Sequence, residues 1–391
     1  MKQKTVMMIG GGVQQVQAVH TAQAMGLRIV VTDRNSDAPC FQFADFPVVV
    51  DGRDIEGLIA YTLLNKERLN IAGVFTLTEL VTSVAAVALG AGLPGVSLQA
   101  AVACQNKKLC KKIWESTVIP TPKGGAVITS NEAMKLFNEL GQKVFVKPVV
   151  GFGGMNSQKI LSRDSLENFF CDNKQEIIME ELQEGSMHDV NAVFDSEGRF
   201  IPLGCFDRFF SEQYPIETGA VYPSSLITER VQKAYDLTEN AARALGIHWG
   251  PIKSDLVLSK QGFLILEIST RLHGPKGSLY LSAMVDQQNH LERILDVLTG
   301  HGTITHAEEE LKQVGVAAYE IIDHPGRAFT KIKGIDFLET QGIEVLILND
   351  SASDTGYPDN TGAIGFLFGK GEEVARLQED LCRAKRNIHF E

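Results

Sequence analysis

The sequence lacks the features that would place it in a secretory, membrane or nucleic-acid setting. Its six cysteines (Cys40, Cys104, Cys110, Cys171, Cys205 and Cys382) form no C-x-x-C pair. That spacing disfavours zinc and a disulfide framework, and fits free thiols in a reducing cytosol. Apolar runs are too short to cross a bilayer, and no signal-type segment precedes the first strand-like stretch, so a cytoplasmic protein without membrane attachment is expected. Internal repeats and low-complexity tracts are missing. Positive charge is in deficit, 37 Lys and Arg against 48 Asp and Glu, for a net charge of −11. This balance argues against a nucleic-acid surface, and an anionic ligand must then be met by individual cations.

What remains is ordinary for a globular protein: 44% hydrophobic and 22% charged residues. A chain of 391 residues exceeds one core and suggests two to four domains. Thr5–Ile9 reads as a buried parallel strand, Gly10–Gly12 as a turn, Gln14–Met25 as a helix and Leu27–Thr32 as a second strand. Gln15 stands where a dinucleotide fingerprint needs its third glycine, so this βαβ unit is a poor nicotinamide site, and its glycines also suit packing alone. The alternation continues to about residue 100, giving a doubly wound, Rossmann-like N-terminal domain.

A helix opens at Gln105–Lys108 and stops before Val118–Pro122; Thr129–Asn131 caps another that ends at Gly141. Val144–Val150 is a strand with Lys147 inside an apolar run, where an ammonium must snorkel to solvent or meet an anion. Gly151, Gly153, Gly154 and Ser157 follow in a loop that offers either backbone N–H groups to phosphates or only a flexible turn. Glu176–Gly185 is a strand with His188 just beyond, and Asp189–Phe194 with Arg199–Asp207 forms an antiparallel pair. Thr218–Ser224 reads as a polar loop, Thr228–Leu245 as an amphipathic helix, and Leu272–Ser278 as a small, flexible, basic segment suited to an anion. Glu292–Leu298 is helical. In the tail, Ala317–Ile322, Gly334–Leu338, Val345–Asn349 and Gly362–Phe368 read as strands and Gly371–Ala384 as a closing helix.

The densest chemistry lies in Ser254–Arg271. Two period-two runs flank Lys260-Gln261-Gly262. With a three-residue loop, Ser259 faces Phe263 and Asp255 stands opposite Glu267. Glu267, Ser269 and Arg271 then share one face, and Leu264, Leu266 and Ile268 the other. Facing carboxylates repel and call for a cation, for which oxygen-only ligation suits Mg²⁺ or Mn²⁺. Arg271 can grip phosphate or carboxylate oxygens alongside. The plainer alternative is an edge hairpin with solvated charges.

The order of these parts (doubly wound domain, lysine helix, Lys-strand with glycine loop, Glu-rich strand, acidic hairpin ending in Arg) resembles the ATP-grasp superfamily over nearly the whole chain. The branch it is most similar to holds biotin carboxylase, the purine carboxylases and bacilysin-type amino-acid ligases. The resemblance implies an α/β and α+β multidomain fold. Residues 1–100 would be the N-terminal domain, 101–185 a lid region, 186–310 a central catalytic domain with antiparallel sheet, and 311–391 a small β-rich subdomain. It implies that Lys107 (or its neighbour Lys108) and Lys147 contact ATP phosphates under the Gly151–Ser157 loop. Glu180, Glu181, Leu182 and Gln183 would hold adenine, and His188 would lie near the ribose. Asp255 and Glu267 would ligate Mg²⁺ or Mn²⁺. Ser269, standing where the family often has Asn, would ligate directly or through water. Arg271 would steady the reacting acyl phosphate. Members of this branch often form dimers.

The expected activity is a ligase that activates a small-molecule carboxylate with ATP and joins it to an amine, releasing ADP and phosphate. Catalysis would rest on Arg271, Lys147 and Glu267, with Thr218, Tyr222 and His273 as candidate substrate contacts. His273 serves equally well as a surface loop residue. Rival readings are a bicarbonate-using carboxylase, a non-catalytic nucleotide-binding protein, and a nicotinamide oxidoreductase built on Gly10–Gly12.

Overall fold

The computed structural model describes residues 2–151, 153–173, 175–212, 216–286, 288–300, 313–352 and 363–391. Four strands, β1 (Thr5–Ile9), β2 (Arg28–Asp33), β3 (Phe46–Val49) and β4 (Ile71–Phe75), form a parallel sheet in the order β3-β2-β1-β4. Helices α1 (Val16–Ala24), α2 (Ile55–Leu69) and α3 (Val81–Ala91) cover it. Both faces are buried, which is why β1 is apolar from Val6 on: Val6 and Met8 enter one core, Met7 and Ile9 the other. The expected N-terminal doubly wound domain is therefore present.

Two short helices, α4 (Leu98–Gln105) and α5 (Lys107–Ser116), meet at Asn106, whose side chain accepts from Leu109 N at 3.0 Å and so starts α5. A second sheet holds β5 (Gly124–Val127), β6 (Val144–Pro148), β7 (Gln158–Ile160) and β8 (Ile177–Glu181), all antiparallel, in the order β5-β8-β6-β7. Helices α6 (Ser130–Glu139) and α7 (Arg163–Asp172) belong to this region. The expected cap of α6 is a full capping box between Thr129 and Glu132.

The third sheet has eight strands. It takes β9 (Gly185–Phe194), β10 (Phe200–Phe210), β11 (Glu217–Tyr222), β12 (Gly250–Ser259), β13 (Gly262–Ser269) and β14 (Val316–Ile322). The short β15 (Ile332–Lys333) leaves it to pair near the C-terminus, while β16 (Glu344–Ile347) and β17 (Gly365–Gly371) return. The order is β13-β12-β9-β10-β11-β14-β17-β16, so strands of the tail continue the sheet that carries the acidic hairpin. Helices α8 (Thr228–Ala244), α9 (Ser282–Val285), α10 (His290–Thr299), α11 (Ile335–Thr340) and α12 (Val374–Lys385) complete the chain. Among the described residues no helix is long and apolar enough to cross a membrane, and all six cysteines are free.

Several expectations are corrected. Thr218–Ser224 is no loop: most of it is β11, with Ala220, Val221 and Tyr222 buried. Gly334–Leu338 is not a strand but the start of α11. Position 362, the expected start of the last strand, lies outside the described residues. Leu272–Ser278 is not a flexible surface segment, since Leu272, His273, Gly277 and Ser278 are buried at the entry to a π-helical turn. The hairpin turn has two residues rather than three: Ser259 pairs with Gly262, which takes φ +115°. Leu256 pairs with Ile265, and the register then shifts so that Asp255 still faces Glu267. Leu266 is the extra residue of a β-bulge that restores the facing pair. The bulge also flips the side-chain alternation, so Ile265 joins Ile268 in the core while Leu266 lines the cleft.

Trp114 of α5 ties the lysine helix to α8 and the eight-stranded sheet. It is almost fully buried, and its Nε1 donates to Ala241 O of α8 at 3.2 Å. Trp114→Ala is expected to lower unfolding stability by about 3–5 kcal/mol, read from the denaturant midpoint. A change below about 1 kcal/mol would contradict this packing.

Candidate functional site

A cleft of about 1820 Å³ runs between the three sheets. It is lined by Gly10–Gly12 and Glu79 from the N-terminal domain, Lys107 and Lys147 beside the glycine loop, and the Asp255–Glu267 pair with Arg271 and His273. The loop contributes Gly151, Gly153, Gly154, Met155 and Ser157, with Gly153 and Gly154 at φ +64° and +75°. Its Phe152 lies outside the described residues.

The Lys147 ammonium meets an anion. Its Nζ contacts Glu180 Oε2 at 2.7 Å and donates to Leu266 O at 3.3 Å. Lys111 takes the other Glu180 oxygen at 2.9 Å. Burial pushes the Lys147 pKa down and that of Glu180 up, but their mutual attraction outweighs this and leaves both charged. The Glu180 carboxylate is thus held by two lysines rather than offered to a base. The N–H groups of Glu181 and Leu182 also go inward, to Lys123 O and Lys143 O at 2.8 and 3.0 Å. Leu182 and Gln183 line the cleft with Glu180 and Glu181.

The lysine pair on α5 splits. Lys107 lines the cleft, donates to Gly151 O at 2.8 Å and sits 3.5 Å from Glu267 Oε1. Lys108 is paired with Glu176 at 2.5 Å and is not among the lining residues.

The hairpin carboxylates belong to a longer row. Asp189 of β9 faces Asp255 of β12, which faces Glu267 of β13. Two carboxylates about 5 Å apart repel by roughly 3 kcal/mol at an effective dielectric near 20, so cations are needed here. Arg208 Nη1 reaches Asp189 Oδ1 and Asp255 Oδ1, both at 2.9 Å, and Lys253 Nζ contacts Asp255 Oδ1 as well. Burial pushes the Asp255 carboxyl up, but Lys253 and Arg208 hold it well below the usual range. Fully enclosed Asp189 goes the other way, pushed up to about 8 by burial and by the Asp255 charge despite Arg208. Within this coupled pair, proton affinity is therefore raised on the Asp189 side and lowered on the Asp255 side. Deeper still, Glu217 binds Arg208 Nε at 2.9 Å, Lys276 at 3.0 Å and the Tyr319 hydroxyl.

Arg271 Nη1 donates to Leu272 O at 2.7 Å and Nη2 to Glu79 Oε1 at 2.5 Å. His273, almost fully buried, lines the cleft, and burial with nearby Arg208 keeps its imidazole neutral. His188 lines the cleft too, hydrogen-bonded through Nδ1 to Asp207 at 2.9 Å and through Nε2 to Ser186 at 2.7 Å.

Three candidates are not on the cleft wall. Tyr222 is a core residue, stacked on Phe206 with its hydroxyl 2.7 Å from Asp286 Oδ2. Thr218 precedes it on β11 and is not among the lining residues. Ser269, opposite Lys253, is buried and outside the lining.

The sequence reading missed Glu79, Asp189, Arg208, Glu217, Lys253 and Lys276 as site residues. The one available sign was Lys253, two positions from Asp255 and so on its face.

No group of three or more His, Cys, Asp or Glu side chains suited to a metal occurs among the described residues. Asp255 and Glu267 still fit a divalent ion. They are hard oxygen donors on facing strands, both open to the cleft, and Mg²⁺ commonly takes only one or two carboxylates.

Residues 104–275, somewhat under half of the chain, match the ATP-grasp domain family. The chain is similar to an L-amino acid ligase from Bacillus licheniformis, with a TM-score of 0.85 at 21% identity over 100% of this chain and 99% of that one. An N5-carboxyaminoimidazole ribonucleotide synthetase in an ADP complex follows at a TM-score of 0.79, 16% identity, 99% of this chain and 97% of that one. Among curated relatives, the carbamoyl phosphate synthase large chain of Lachnoclostridium phytofermentans is 27% identical over 268 residues, 63% of this chain. That alignment spans 23% of the relative's own length.

The Asp207 network sets a pH limit. Burial pushes its carboxyl up, but bonds from His188, Ser224 and Ser225 hold it down at about 2, against 3.8 ordinarily. This stabilisation is complete above the unfolded value and lost as pH falls from about 4 through 2. Asp207→Asn is expected to be less stable at neutral pH and to show a shallower loss of stability across that window, measured by chemical denaturation at stepped pH. An unchanged slope would contradict it.

Proposed function

We propose that the protein is an ATP-dependent carboxylate–amine ligase acting on amino acids, which forms an acyl phosphate, captures it with an amine and releases ADP and phosphate. The observation that carries this reading is the convergence of Lys107, Lys147, Arg271 and the facing Asp255 and Glu267 on one cleft. The likeness to an L-amino acid ligase along the whole chain supports the choice of substrates.

In this reading Lys107 and Lys147 bind the phosphates under the glycine loop, whose closure excludes water. Leu182, Gln183 and His188 border the nucleoside. Asp255 and Glu267 would hold Mg²⁺ or Mn²⁺, which supplies charge neutralisation at the transferred phosphoryl group. Arg271 orients the substrate carboxylate toward it and steadies the acyl phosphate. Buried His273 and partly buried Lys276 border the acceptor end. Free, mostly buried thiols suit a reducing compartment.

The test is ADP and phosphate release with pooled amino acids, with bicarbonate, or with neither. Release that depends on amino acids, with a new amide detected by mass spectrometry, is the expected result; dependence on bicarbonate alone would replace ligation by carboxylation. Glu267→Gln and Arg271→Ala should each lower turnover at least about 100-fold while keeping the thermal midpoint within a few degrees. Near wild-type rates in either variant would overturn the assignment.

A further inference from the structure

Glu79 stands apart among the acids of the cleft. Glu180, Glu217 and Asp255 each hold two cations. Glu79 comes instead from the N-terminal domain, on the segment after β4, and reaches across the cleft to Arg271, its one side-chain partner among the described residues. Burial pushes its carboxyl up, but Arg271, with Lys253 and Lys107 behind it, holds it below the ordinary value, so it is ionised.

The geometry on Arg271 is that of a shared binding edge. Nη1 is committed to Leu272 O, Nη2 to Glu79, and Nε is buried with no hydrogen-bond partner among the described residues. A guanidinium grips a carboxylate through two adjacent N–H groups, here Nε and Nη2. A substrate carboxylate that takes this edge must displace Glu79 from Nη2.

We infer that Glu79 is the binding residue for the ammonium of the amine substrate, vacating Arg271 when the acid substrate arrives and then holding the amine beside the acyl phosphate. The inference rests on the ligase reading above. It makes binding ordered: acid first, amine second. A carboxylate released from Arg271 into a wall whose other cations already face acids needs a new positive partner, and an amine substrate brings one. Before attack the ammonium gives up one proton to water, with Glu79 fixing its position. The amine nitrogen then bonds to the acyl carbon, the bond from that carbon to the phosphate oxygen breaks, inorganic phosphate leaves, and the second nitrogen proton is released to solvent.

The test compares two nucleophiles on the same acyl phosphate. Hydroxylamine is largely uncharged at neutral pH and needs no carboxylate to hold it, whereas an amino acid arrives as an ammonium. For wild type, Glu79→Gln and Glu79→Asp, hydroxamate and dipeptide formation are measured with ATP and the same acid substrate, and folding is followed by thermal melting. In Glu79→Gln the ratio of dipeptide to hydroxamate formation should fall at least tenfold, through a raised KM for the amine, with Glu79→Asp recovering part of it. The KM for the acid should fall, because a neutral amide competes less well for Arg271. An unchanged ratio with active wild type would overturn the role of Glu79 alone. If wild type forms neither product, the ligase reading falls and this inference with it.

Discussion

Three acids in one row across three strands are the constraint to which the rest of the site answers. Asp189, Asp255 and Glu267 follow from strand register alone, and like charges so placed cannot be buried unaided. Arg208 and Lys253 are drawn in from flanking positions to bridge the first two, Lys107 comes across from α5 toward the third, and the Asp189 carboxyl is shifted upward. Arg208 in turn needs Glu217, and Glu217 needs Lys276 and Tyr319. Each partner is fixed by the one before, so the cleft wall is a connected ionic lattice rather than a set of separate pairs.

Much of this was legible because strand period and charge conflict are local. Lys147 inside an apolar run had to reach solvent or meet an anion, and Glu180 is the anion it meets. The facing of Asp255 and Glu267 was also legible, but for an incomplete reason. A three-residue turn and a two-residue turn plus one bulge place these carboxylates in the same register. Only the structure separates them, through the inward side chain of Ile265. Nothing in the run Gly262–Ser269 marks Leu266 as the extra residue, since bulges answer to the twist of the whole sheet.

Where reading failed, the deciding contacts were distant in sequence. Thr218–Ser224 has the threonine, glycine, proline and serine of a loop, yet it lies between β10 and β14, where Ala220 and Tyr222 fill a core that a single sequence cannot display. Gly334–Leu338 is too short for helical and strand periods to be told apart. Arg208, Glu217 and Glu79 look like scattered surface charges in sequence. Their roles depend on pairing partners many residues away. Tyr222 was credited to substrate as part of a segment read as a polar loop; its hydroxyl instead satisfies buried Asp286.

The lattice also explains how a chain with a net charge of −11 can receive a polyanion. Lys107, Lys147, Lys253, Arg208, Arg271 and Lys276 all border the cleft, but each already faces a carboxylate. The wall is close to neutral, so its lysines alone offer little net attraction to a triphosphate. Binding one then requires either added positive charge at Asp255 and Glu267 or release of a cation from its acid. The contacts most open to exchange are those that are long or partly solvated. Lys107 to Glu267 is 3.5 Å, with Glu267 about one-third exposed, and Glu79 on Arg271 is similarly exposed, whereas the Lys147–Glu180 and Arg208–Glu217 pairs are closed off. Exchange is therefore concentrated where Lys107, Glu267, Arg271 and Glu79 meet the cleft, and the deeper pairs hold the sheet that positions them.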